Sequence, residues 1–71
     1  MTAIACLSAR ELAVLRAYAE LGSVKLVARQ LDLSPHTVRS HLANIRAIAR
    51  VPTTAQAVWR FRRILDRSPA R

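Results

Sequence analysis

The feature that most narrows the fold is a break. In LDLSPHTVRSHLANI, residues 31–45, one helical pattern stops and another starts within about three residues. Asp32-Leu33 interrupts the first pattern, and Ser34-Pro35 restarts the chain. Serine caps free N–H groups with its side chain, and proline suits the first helical position, where no N–H is missed. Beyond it Val38, Leu42, Ile45 and Ala49 recur at i, i+4, i+7 and i+11, which is one face of a helix. Two helices joined this tightly describe a helix-turn-helix. The other side of the second helix carries His36, Arg39, Ser40, Ala43 and Asn44, a mixed face that the core does not claim.

The rest of the chain supplies what such a motif leans on. Leu7-Ser8-Ala9-Arg10-Glu11-Leu12 reads as a capping box, with Ser8 as the cap, Glu11 reaching back, and Leu7 and Leu12 placed for a hydrophobic staple. A first helix then runs through Leu12, Leu15 and Ala19, with Tyr18 beside the stripe, and stops near Leu21-Gly22. Ser23 caps a short second helix whose Val27, Ala28 and Leu31 face inward, and Leu33 tucks under the break. Pro52-Thr53 closes the third helix, and Thr53 with Gln56 sets a second capping box. Ala57, Val58, Phe61 and Leu65 give the fourth helix its stripe. The expectation is an all-α, four-helix domain with a central helix-turn-helix. It forms a single domain over 1–71, with its core in about 7–66 and a frayed tail at 67–71.

Composition excludes several alternatives. A chain of 71 residues buries only roughly 60% of its unfolded surface, so its core must be economical. Cys6 is the single cysteine, which rules out an internal disulfide framework, and no Cys/His spacing suggests zinc. One Cys, two His and four scattered carboxylates make no nucleophile–base arrangement, so neither a catalytic site, a metal nor a cofactor is expected. No apolar run approaches the roughly 18 residues of a membrane helix. The start MTAIACLSARE lacks the basic region of a signal peptide, so the chain reads as cytoplasmic.

Charge points to a partner. The formal net charge is +8, and it is unevenly placed. The first 35 residues set four cations against three acids, whereas the last 36 set eight arginines against Asp66 alone. The basic half begins where the helix after Pro35 starts. Eleven of the twelve cations are arginine, whose planar fork suits phosphate and base edges. A polyanion follows as the expected partner, with nucleic acid ahead of a membrane surface.

The residues also resemble a family. LSARELAVLRAYAELGSVKLVARQLDLSPHTVRSHLANI is similar to the LuxR-type (GerE-type) helix-turn-helix pattern LTxRExxVL…A…KxIAxxLxLSxxTVxxHxxNI, and VPTTAQAVWR matches the family's fourth-helix start. The resemblance spans roughly residues 7–65 and includes both SxRExxVL and LSxxTVRSHLxNI. It implies a sequence-specific regulator of transcription that binds double-stranded DNA. A chain this short is similar to the members that stand alone. The chain departs from the pattern in four places. Leu26 replaces an acidic residue, Gly22 sits one place late, and IRAIARV replaces IYxKLGV, which puts Ile48 at a basic position and Arg50 at the closing glycine.

Carried over by position, the resemblance implies that Arg39 and Ser40 approach bases, with Ala43 at a third base-facing place where it offers only apolar contact. Lys25, Arg29 and Thr37 would hold phosphates, and backbone N–H groups by Pro35 and His36 would add an anion contact. His41 and Asn44 would lie near the DNA backbone or in the helix–helix packing. Ile48 has no charge to offer a phosphate, and Arg46 or Arg50 would serve in its place. Trp59 lies off the fourth stripe beside Arg60, Arg62 and Arg63, and the resemblance places a homodimer contact there, at Trp59, Arg62 and Arg63. The alternative is a protein-interaction module that binds RNA polymerase or another regulator, with Trp59 carrying the affinity.

Overall fold

Four helix starts fall where a side chain answers the first unpaired N–H groups, and those caps set the architecture. The structure is a computed structural model and describes residues 7–66, apart from the side chains of Ile64 and Asp66. Cys6 and the tail 67–71, expected to fray, lie outside the described residues. Five helical segments run in the order α1 (Ala9–Leu21), α2 (Val24–Leu31), α3 (Pro35–Ala49), α4 (Thr54–Arg60) and α5 (Arg62–Asp66). The last two are the expected fourth helix with a hitch at Phe61, so the fold is the anticipated all-α one. Ladder bonds continue on either side, from Phe61 N–H to the Ala57 carbonyl and from Leu65 N–H to the Phe61 carbonyl. The hitch is therefore a local bend about a buried ring, with φ −100° at Phe61.

The starts follow the sequence closely. Ser8 accepts from the Glu11 N–H at 3.1 Å while Glu11 Oε1 accepts from the Ser8 N–H at 3.2 Å, which completes a capping box. Ser23 caps α2 through the Leu26 N–H at 3.3 Å, and Ser34 caps α3 through the Thr37 N–H at 3.0 Å. The expected second capping box is only half formed. Thr53 Oγ1 accepts from the Gln56 N–H at 3.2 Å, but the Gln56 side chain takes the Thr53 hydroxyl proton at 3.0 Å instead of the Thr53 N–H. A threonine cap has a proton of its own to give, so the pair closes on itself.

The ends show three left-handed residues. Gly22 (φ 68°) closes α1 with its N–H on the Tyr18 carbonyl at 2.8 Å. Asp32 (φ 58°) closes α2, with the Leu33 N–H returning to the Ala28 carbonyl at 2.8 Å. Arg50 (φ 60°) closes α3, with the Val51 N–H returning to the Arg46 carbonyl at 3.1 Å. The last two are Schellman closures built without glycine, and a long side chain such as arginine is the less suited to one. No glycine marks the end of α3; Pro52, two residues past Arg50, marks it, as the sequence led one to expect.

The core gathers Val14, Leu15, Val27, Val38 and Ile45, all fully buried, with Leu42, Ala49, Ala57 and Phe61 around them. Burying each large side chain contributes about 1.5–3 kcal/mol. The α3 stripe is buried at all four expected positions. In α2, Val27 and Ala28 are buried and Leu31 is half-buried, and Leu33 packs against the core from beneath the break. Val58 and Leu65 are likewise half-buried. Helix α1 departs from expectation: its buried residues are Glu11, Val14, Leu15 and Ala17, while Leu12 is half-buried and Ala19 is exposed. The reason is that α1 packs against α2, α3 and α4 together, so the arc it buries is wide and swings away from the Leu12–Ala19 row.

One polar link crosses this core. Glu11 is 9% exposed, and its second carboxylate oxygen accepts from the Asn44 side-chain amide of α3. The residue that caps α1 therefore also holds α3, 33 positions away in sequence. Hydrogen bonds to a carboxylate are the stronger kind. Glu11→Ala is expected to destabilise the domain by about 2–3 kcal/mol, with Glu11→Gln losing less, measured by urea unfolding followed by far-UV circular dichroism. Arg50→Gly should go the other way. Relief of the left-handed strain, about 1–2 kcal/mol, exceeds the added freedom of the unfolded chain, leaving a gain of about 0.5–1 kcal/mol and a melting point higher by a few degrees. At Gly22 a Cβ would meet nothing within 4 Å, so Gly22→Ala should lose only the backbone term, about 1 kcal/mol, in the same melts.

Candidate nucleic-acid interface

With Val38, Leu42, Ile45 and Ala49 buried, the 100° step of an α-helix turns His36, Ser40, Ala43 and Ala47 outward on α3. All four are exposed. Arg39 and Arg50, also exposed, border this face on one side together with Arg46. Thr37, His41, Asn44 and Ile48 border it on the other. No acidic residue occurs anywhere in α3. Ala43 and Ala47 keep the centre of the face low, so a grooved partner can approach the backbone closely there, and Arg39 is the long cationic arm nearest the helix start.

Helix α2 adds a second cationic edge. Lys25 and Arg29 are both exposed and sit one turn apart, on the same side of the helix. Between them Leu26, 44% exposed, occupies the position where the family pattern has an acid. The edge therefore has no internal carboxylate to offset its charge before Asp32.

Several expected contact residues are engaged within the fold. Thr37 takes the Ser34 hydroxyl on Oγ1 at 2.9 Å, which leaves its own hydroxyl proton free to give. The Asn44 amide holds Glu11 and so fixes α3 against α1. Arg46 is half-buried and donates from Nη1 to Thr54 Oγ1 at 2.8 Å, tying α3 to the start of α4. Its remaining N–H groups are not used in that bond. His41 is half-buried at the border of the core. Glu11 and Thr54 are the partners that a residue-by-residue reading of the motif missed. The capping box gave Glu11 a local role already, and nothing in its spacing marked a second one.

Helix α4 and its continuation hold the remaining residues. Trp59 is 69% exposed, and the Arg62 guanidinium lies 4.4 Å above its ring centroid, a cation–π distance. Arg60 and Arg63 are exposed beside them. Among the described residues, no group of three His, Cys, Asp or Glu side chains comes together as a metal site would require, and no helix is long and apolar enough to cross a membrane.

No curated protein and no solved structure matches the chain at a significant level. A family model does: GerE, bacterial regulatory proteins of the luxR family, over residues 5–60. The match runs from just before the α1 capping box to the end of α4, so it takes in both helices of the helix-turn-helix and their supports. The chain belongs to the luxR family of bacterial regulatory proteins.

Proposed function

We propose that the protein is a sequence-specific transcription regulator that lays α3 in the major groove of duplex DNA. The observation that carries this reading is the outer face of α3: exposed, free of acids, flat at Ala43 and Ala47, and armed at its N-terminal half by Arg39. A recognition helix presents that half to base edges. Arg39 can pair with the O6 and N7 acceptors of a guanine, Ser40 can give or accept one bond, and Ala43 can meet a thymine methyl.

The phosphate contacts come from around this face. Lys25 and Arg29 extend from α2, Thr37 gives its free hydroxyl proton, and the N–H groups by His36 sit at the positive end of the α3 dipole. Arg50 and the unbonded N–H groups of Arg46 serve the strand nearer the helix end. His41 lies at the margin of this set, and Asn44 acts on DNA chiefly by holding the roll of α3 against Glu11. These contacts position the helix, and the few outward side chains carry the sequence information.

A face with one long polar arm reads few base pairs. Two copies on two half-sites would double that readout, so the bound form we propose is a homodimer on a palindromic operator. Selection of bound sequences from random duplex DNA tests both parts at once. A motif repeated with dyad symmetry at one or more helical turns is the expected result, and no enrichment over random sequence would overturn the assignment.

Substitution separates readout from positioning. Arg39→Ala should lose about 1–3 kcal/mol on the selected site and relax the preference at one base position. Lys25→Ala should weaken selected and random duplexes alike and lower the slope of log K against log salt by about 1. Equal losses on both kinds of DNA for both variants would remove the distinction between these roles.

A further inference from the structure

Val38, Leu42, Ile45 and Ala49 decide which side of α3 is buried, but aliphatic contacts have no direction. A small roll of the helix about its own axis trades one set of such contacts for a nearly equal set. Directional bonds oppose that roll, and among the described residues two side-chain bonds tie α3 to other helices. Asn44 donates to Glu11 of α1, and Arg46 donates from Nη1 to Thr54 Oγ1 of α4 at 2.8 Å. Asn44 and Arg46 stand two residues apart, about 200° of helical turn. They therefore pull on nearly opposite sides of the axis, and losing either one leaves the other as a pivot. The outward face is sensitive to such a roll. A turn of about 15° carries a side-chain tip roughly 6 Å from the axis sideways by about 1.5 Å. Recognition geometry is held within roughly 0.5 Å, so a bidentate pair between Arg39 and a guanine would be lost while the core stays packed.

We propose that Thr54 is a specificity-determining positioning residue: through Arg46 it sets the roll of α3, and so the base preference of Arg39. It does so from a helix that carries none of the proposed base contacts, and the inference rests on the major-groove reading of α3. Thr54 is well suited to the task. It is half-buried, its branched side chain is stiff at χ1, and it opens α4 directly behind the Thr53 cap. Ala57, one turn on, is fully buried and seats that end of α4 on the core. The acceptor that Arg46 meets is therefore fixed in place. The opposing hold is fixed as well, because the Glu11 carboxylate is also bonded to the Ser8 N–H. Arg46 stands where the family pattern IYxKLGV has tyrosine, so this tie belongs to the present chain and not to the pattern. A bond that merely stabilised the fold would change affinity for every duplex by the same factor. A bond that sets roll changes the discrimination between duplexes.

The test uses the full chain as wild type, Thr54→Val and Thr54→Ser, with circular dichroism to verify the fold of each. Valine keeps the shape of threonine and removes the acceptor, whereas serine keeps the acceptor. Each form is carried through selection from random duplex DNA. Binding is then measured on the selected site, on that site with the Arg39-dependent base pair exchanged, and on random duplex. Thr54→Val should lower discrimination at that base pair by about fivefold or more. Its affinity for random duplex should hold or rise, since the freed Nη1 becomes available to a phosphate. Thr54→Ser should restore the discrimination. With Arg39→Ala already in place, Thr54→Val should change the preference at that position no further. In the free protein, the periodic pattern of residual dipolar couplings along the α3 amides should shift phase in Thr54→Val and return in Thr54→Ser. Equal losses on selected and random duplex would reduce Thr54 to a stabilising residue and overturn the proposal. An unchanged motif would overturn it too, and so would a changed motif with unmoved couplings. A wild-type chain that selects no motif removes the major-groove reading itself, and this inference with it.

Discussion

The turn between α2 and α3 rests on the backbone bonds that close α2. The Leu33 N–H returns to the Ala28 carbonyl at 2.8 Å, and the left-handed Asp32 makes that return possible. The Ser34 cap follows at once, so one helix is closed and the next opened within three residues. No slack remains for α3 to choose its angle, and Leu33 is drawn under the joint as the chain turns. The direction of α3, and with it the placement of every outward residue from His36 to Ala47, descends from that geometry. Val27 and Ala28 on one side and Val38 and Leu42 on the other then fill the angle the turn has set.

What the sequence made legible was local. The Ser8, Ser23, Ser34 and Thr53 caps each act on an N–H three residues ahead, and such short-range chemistry leaves its mark in residue order. The α3 stripe was legible for the same reason, since its period is fixed by the helix itself. The exposed outward face of α3 followed from that stripe. Contacts that depend on the assembled fold left no such mark. Glu11 meets Asn44 across 33 residues, and Arg46 meets Thr54 over the far side of a turn. The buried arc of α1 shifted because three neighbours surround it, a fact no periodicity within α1 contains. Arg50 in the left-handed region was illegible for a simpler reason, as residue type argues against that conformation and the return bonds of the Arg50 and Val51 N–H groups hold it there.

These links divide the labour on α3. Asn44 and Arg46 flank the outward face from opposite borders, and each is fastened to a different neighbour, α1 through Glu11 and α4 through Thr54. A helix held on two borders cannot roll easily about its own axis, and roll is what decides which side chains enter a groove. The residues left unfastened are the ones turned outward: His36, Arg39, Ser40, Ala43 and Ala47. In the proposed complex, polar residues near the face thus do two kinds of task, holding the helix or reading with it. The chain has few residues to spare, and in that complex Arg46 does both.

Positive charge alone does not say what a surface binds, and this small chain carries two basic surfaces that differ in their apolar content. On α3 the apolar residues between the charges are alanines, low enough to let a helix settle into a groove. Beside Trp59 the apolar group is a large indole that stands out into solvent, already partnered by Arg62 on its ring. A duplex is a smooth polyanion that rewards the first design and gives nothing to the second. The arginines described in the C-terminal half therefore stand in two different settings, and the exposed indole is the feature that tells them apart.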